Sequence, residues 1–167
     1  MQPHIRFIIA PHEISEARIK DLQQEFPQAL LYSQLVNGSV KPDAGNVLIV
    51  DNIGNLARLY KYASITYVGG GFNQSGIHNI LEAAVYGRPV VFGPVYEKFA
   101  EARDLVAAGA AFSIENALEL EALLNRLLEN DVELKAVSAI AKDYVYGQRG
   151  ATQQIMEYIY RKRLLMS

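Results

Sequence analysis

The chain has 167 residues, half of them hydrophobic, enough to bury the core of one ordinary domain but short for an enzyme that needs two. Its 16 Lys and Arg nearly balance 18 Asp and Glu, for a net charge of -2, so no field is present that would hold a nucleic-acid backbone. The lack of cysteine excludes disulfides, thiolate metal sites and cysteine nucleophiles and suits a reducing cytoplasm, and no apolar run approaches the roughly 18 residues of a spanning helix, so a soluble chain is expected.

Short β-branched or aromatic runs alternate with longer helical patterns, the signature of a parallel sheet covered by helices on both faces. Residues 4–10 read as a first strand ended by Pro11, 14–26 as a helix, and 29–35 as a second strand. Residues 37–46, with Gly38, Pro42, Asp43 and Gly45, carry turn chemistry and make a candidate mobile loop. A buried strand at 47–50, a short helix at 56–63 and a strand at 65–68 lead into Gly69-Gly70-Gly71. A helix is then expected over 76–86, a strand over 89–92, a helix over 97–108 stopped by Gly109, and a last strand over 111–114. Residues 116–163 read as three helical pieces broken near Asn130-Asp131 and at Gly147 and Gly150. The order predicts one doubly wound, Rossmann-like α/β domain with a helical tail, spanning residues 1–167.

In open parallel sheets, ligands sit beyond the carboxyl ends of the strands. Three such loops carry unusual residues: Pro11-His12-Glu13, residues 51–56, and residues 69–82. In the third, consecutive glycines let a backbone approach a ligand closely. Ser75 is a candidate N-cap for a helix from Gly76, which would place free N–H groups and a positive helix end at an anion site. On that helix Ile77, Ile80, Leu81, Ala84 and Val85 form the expected buried stripe, with His78 and Glu82 one turn apart on the other side. A dinucleotide fingerprint would need Gly at position 74, which is Gln, and a P-loop would need Lys at position 77, which is Ile. A carboxylate such as Glu82 near a helix start suits the vicinal hydroxyls of a ribose. The loop therefore reads as a site for a nucleotide mono- or diphosphate attached to a sugar.

Plainer readings exist for several of these residues. Glycines also serve close helix–strand packing, His78 and Glu82 could be solvated helix-surface residues, His12 could cap the turn after its strand, and His4 reads as surface. Asp51 and Asn52 read most economically as turn residues. Glu97, Glu101, Arg103 and Asp104 read as a solvated charged face, and Arg161-Lys162-Arg163, beside Leu164, Leu165 and Met166, as a helix end favoured by the dipole. The same tail could instead touch anionic lipid.

The run from Tyr67 to Ala84, with Gly69-Gly70-Gly71 and His78-Asn79-Ile80-Leu81-Glu82, resembles the glycine-rich, His-Asn-x-x-Glu segment of the Kdo transferases, which have the GT-B fold. Gly87-Arg88-Pro89-Val90-Val91-Phe92-Gly93-Pro94 is similar to the family's next segment. Upstream, Ile8-Ile9-Ala10-Pro11-His12-Glu13 resembles its strand ending in Ala-Pro-Arg-His, and residues 49–56 resemble its Asp-x-x-Gly-Glu-Leu segment. Two departures stand out: the chain goes straight from Pro11 to His12 where the family has Arg, and Asn55 stands where the family has an acidic residue.

The resemblance implies the C-terminal, donor-binding half of a glycosyltransferase that moves Kdo from CMP-Kdo to a lipid A precursor in lipopolysaccharide biosynthesis. It implies donor contacts from Pro11, His12, Gly54, Asn55 and Leu56, and from Gly70, Gly71, Ser75, Gly76, His78, Asn79, Ile80, Leu81 and Glu82. Glu82 would accept from the ribose, and the amides from Ser75 to Asn79 would meet the phosphate. No metal or other cofactor is implied, since amides and helix dipoles can stabilise the leaving group. Acceptor site, general base and peripheral contact with the cytoplasmic side of the bacterial inner membrane would belong to an amino-terminal domain absent from this chain. No catalytic residue is then expected here, and the piece alone should be inactive. Two alternatives remain open: the donor domain of a UDP-sugar transferase or epimerase, and a non-catalytic nucleotide-binding module.

Overall fold

A computed structural model describes residues 5–164, so His4, Leu165 and Met166 lie outside the described residues. The chain forms two compact units, residues 1–63 and 64–167. Both are α/β with parallel strands.

In the first unit β1 (Phe7–Ile9) and β2 (Leu30–Leu31) flank the central β3 (Val47–Ile49). Both pairings are parallel, with Ile9 opposite Ile49 on one side and Leu31 opposite Ile49 on the other. Central position buries Val47, Ile49 and Val50, whereas Phe7 and Ile8 on the edge stay partly exposed. Between the strands run α1 (Glu16–Glu25), capped by the Ser15 hydroxyl accepting from the Arg18 amide, and α2 (Tyr32–Val36). A short α3 (Leu56–Leu59) continues into one tighter turn at residues 60–62.

The second strand is thus much shorter than expected, because the chain turns into a helix at Tyr32. A remote carboxylate causes this: Asp51 accepts from the Ser33 amide at 2.9 Å and from the Ser33 hydroxyl. Gln34 also folds back to accept from the Leu31 amide at 3.3 Å. Helix starts leave amides without partners, and a carboxylate is a strong acceptor for them. Asp51 is accordingly a cap for a distant helix, not just a turn residue. Residues 37–46 do form turns, with the Asn37 side chain accepting from the Ser39 amide.

In the second unit β5 (Val90–Phe92) lies between β4 (Thr66–Tyr67) and β6 (Ala111–Ser113), again in parallel. All three β5 residues are buried. The helices are α4 (Leu81–Ala84), α5 (Ala100–Ala107), α6 (Ala117–Glu129), α7 (Asp131–Gly147) and α8 (Ala151–Lys162). The helical tail breaks where expected. Asn116 and Asn130 each accept from the amide three residues on, while Glu119 and Glu133 accept from the two asparagine side chains. These reciprocal caps start α6 and α7. Against β5 and β6 pack Leu123 and Leu127 from α6 and Val137 from α7, in one cluster with Val91 and Ile114.

The helix expected from Glu97 starts later, at Ala100, because residues 96–99 close a turn through the Phe99 amide and the Tyr96 carbonyl. Asp104 is also more than a solvated charge, since it accepts from the Tyr144 hydroxyl at 2.9 Å and ties α5 to α7. Burial first, then this hydrogen bond and the Asp104 charge, push the Tyr144 hydroxyl up from 10.0 to about 12.

Leu127 is fully buried and Leu118 is 77% exposed, although both lie on α6. Leu127→Ala should cost about 2–5 kcal/mol in urea unfolding and Leu118→Ala less than about 0.5. For Tyr144, a raised pKa means that its stabilising contribution is complete below pH 10.0 and is lost as pH rises toward about 12. The chain should lose more stability across that window than Tyr144→Phe does, which unfolding curves at the two ends would measure.

Candidate functional site

The segment leaving β4 is a closed loop. The Gly71 amide donates to the Gly76 carbonyl at 2.8 Å and the His78 amide to the Gly69 carbonyl at 3.1 Å, so Gly70 and Ile77 face each other as an antiparallel bridge. At the tip, the Asn73 side chain accepts from the Ser75 amide and its carbonyl from the Gly76 amide. This closure overrides the helix expected from Gly76, because Gly70, Gly71 and Gly76 all take positive φ and the bridge holds the chain extended to Ile77. The helix begins only at Leu81. Ser75 is therefore an exposed loop residue and no helix cap, and the amides of Ser75, Gly76 and His78 are spent inside the loop.

The delayed start changes the neighbours as well. His78 and Glu82 do not lie one turn apart on a helix. Instead Asn79 and Glu82 meet: the Asn79 side-chain oxygen Oδ1 accepts from the Leu81 amide at 3.1 Å, and its side-chain Nδ2 donates to the Glu82 carboxylate at 3.1 Å. Glu82 is half-buried and His78 exposed. Of the expected stripe, Ile77, Ile80 and Ala84 are buried, but Leu81 is exposed and Ala83 takes an inner place.

The loop leaving β5 is pressed against this one. A Cβ on Gly71 would stand 2.8 Å from the carbonyl carbon of Gly93, and one on Gly76 would stand 2.5 Å from the Phe99 ring and 2.8 Å from Cε of Lys98. The Val95 amide donates to the Gly71 carbonyl at 2.8 Å, and the Lys98 ammonium donates to the Gln74 carbonyl at 3.0 Å. Nothing in the sequence singles out Lys98; its spacing from the glycines holds no signal, since the contact exists only when the two loops meet.

In the first unit, Pro11 is half-buried and His12 exposed just beyond β1. Gly54 is exposed with φ 88°, in the turn before α3. Asn55 precedes α3; its side chain donates to the Asn52 side chain at 2.9 Å, and its carbonyl accepts from Arg58 and Leu59. Leu56 opens the helix, half-buried. Among the described residues no three His, Asp or Glu side chains cluster so as to hold a metal ion, and no helix is long and apolar enough to cross a membrane.

Comparison with known proteins gives the chain its relatives. It is 32% identical over 133 residues to 3-deoxy-D-manno-octulosonic acid transferase of Aquifex aeolicus (strain VF5), covering 78% of this chain and 36% of that protein. The same enzyme of Bordetella pertussis is 32% identical over 130 residues, 77% of this chain and 30% of that protein. The chain is related to the Kdo transferases. It spans about a third of the length of these relatives. A crystal structure of the C-terminal CMP-Kdo binding domain of WaaA from Acinetobacter baumannii superimposes with a TM-score of 0.70 at 24% identity, covering 85% of this chain and 73% of that one. This likeness bears out the α/β fold expected for the C-terminal half of a GT-B enzyme. No protein-family model matches the chain.

In this Kdo transferase relative, the glycines of the loop differ in how far they are needed. Gly71 combines φ 82° with the Gly93 contact, whereas a Cβ on Gly69 would meet only the His78 ring at 3.6 Å. Gly71→Ala should destabilise the second unit by about 2 kcal/mol or more. Gly69→Ala should stay within about 1 kcal/mol. Urea unfolding of the two variants checks this.

Proposed function

We propose that the whole chain acts as a single donor-binding domain of a glycosyltransferase that moves Kdo from CMP-Kdo to a lipid A precursor. The observation that carries this reading is the glycine loop after β4, braced on the loop after β5, with the linked pair Asn79 and Glu82 at its exit. The loop leaves the carboxyl end of β4 beside the segment leaving β5, the edge of a parallel sheet at which ligands bind in such folds. Glu82 has one carboxylate oxygen engaged by Asn79, which leaves the other for the hydroxyls of the ribose. The Asn79 bond would hold that carboxylate in place. Pro11, His12, Gly54, Asn55 and Leu56 belong to the same reading through the family resemblance.

Acceptor binding, the general base and contact with the cytoplasmic face of the inner membrane are assigned to the rest of a longer parent protein, which agrees with the one-third span of the relatives. The work of this domain is then to hold the donor and to stabilise the departing nucleotide with fixed dipoles.

Calorimetric titration of the chain with CMP, CDP, UDP and UDP-N-acetylglucosamine tests the reading. CMP should bind about tenfold tighter than UDP or more, near 1.4 kcal/mol; a preference for uridine nucleotides would replace CMP-Kdo by a UDP-sugar. Glu82→Ala should weaken CMP by about 1.5–3 kcal/mol, as for a hydrogen bond to a charged group. Unchanged affinity, with an unchanged melting temperature, would remove the ribose assignment.

A further inference from the structure

A phosphate-bearing ligand needs a positive partner, and the glycine loop itself supplies none. Residues 69–82 contain no Lys or Arg, and their only acid is Glu82, so the segment carries a net negative charge whenever His78 is neutral. By itself it would repel an anion. β4 and β5 are neighbouring parallel strands, with Tyr67 opposite Val91, so the segments leaving their carboxyl ends emerge at the same edge of the sheet. Lys98 lies in the second of these segments and reaches the first. Its stem lies against Gly76, and its ammonium donates to the Gln74 carbonyl at 3.0 Å and stands 5.4 Å from the centre of the Phe99 ring.

We propose that Lys98 is the cation that binds the nucleotide phosphate at the glycine loop. An ammonium has three N–H donors, and the Gln74 carbonyl occupies one. No carboxylate lies within ion-pairing distance of Lys98 among the described residues, so its charge is not already neutralised. The carbonyl and the Phe99 ring hold the head of an otherwise flexible side chain over the loop, which lowers the entropy lost when an anion arrives. Gly76 is required at its position for the same reason: any larger residue would push the lysine stem and the Phe99 ring away.

The role of Lys98 rests on the donor-binding function proposed for the chain, and one set of titrations separates the two. Affinities of CMP and of cytidine are measured on the unmodified chain, on Lys98→Gln and Lys98→Arg, and on Glu82→Ala. Lys98→Gln should weaken CMP by about tenfold and flatten its dependence on salt, yet leave cytidine unchanged; Lys98→Arg should keep most of the CMP affinity. A merely structural lysine would behave otherwise, since a displaced loop would cost cytidine and CMP alike. Equal losses for both ligands, or no loss for CMP, would overturn the assignment while the donor reading stood on CMP binding and its Glu82 dependence. If the unmodified chain bound neither ligand, the donor reading would fall, and the role of Lys98 with it.

Discussion

The backbones of Gly71 and Gly93 lie so close that a Cβ on either would meet carbonyl atoms of the other at 2.6–2.8 Å. That contact joins the loops leaving two neighbouring parallel strands, and it is reinforced by the Val95 amide on the Gly71 carbonyl. The rest of this sheet edge depends on it. Gly76 is brought under Phe99, Lys98 is brought to Gln74, and the chain from Gly69 to Ile77 is committed to a closed loop. A helix starting at Gly76 would need a right-handed φ at that residue, and the closed loop holds it at φ 82°.

The chain contains Asn-x-x-Glu three times, at Asn79, Asn116 and Asn130. At the last two the asparagine accepts from the amide three residues on and the glutamate accepts from the asparagine side chain, which is helix capping and nothing more. At Asn79 the side-chain pair forms as well, but the amide accepted is that of Leu81. The motif that carries the family resemblance is therefore built with the same local chemistry as two ordinary helix starts. What distinguishes it is its place beside a glycine loop at the carboxyl edge of a parallel sheet, where ligands bind in such folds.

Charge is used in two ways. Asp51 spends its carboxylate on a helix start eighteen residues earlier in the chain, so it contributes to architecture. In the second unit the Asp104 carboxylate is likewise committed to Tyr144. Glu82 and Lys98 have donor or acceptor capacity beyond the contacts they make within the loop. That spare capacity, in side chains otherwise held in place, is what the proposed donor site draws on.

Alternation of short apolar runs with amphipathic stretches is a local property of the chain, and it was enough to identify parallel α/β architecture, the last two strands and the three tail helices with their break at Asn130. The glycine run and His-Asn-x-x-Glu spacing likewise identified the segment on which the relationship to Kdo transferases rests. Tertiary contacts set where two elements begin. Residues 32–35 read as strand until Asp51 reaches Ser33, and residues 76–80 read as helix until the bridge to Gly70 forms. Lys98 reaches the glycine loop the same way. In each case the deciding partner lies in another segment of the chain, and a contact between separate segments has no period along the sequence from which it could be read.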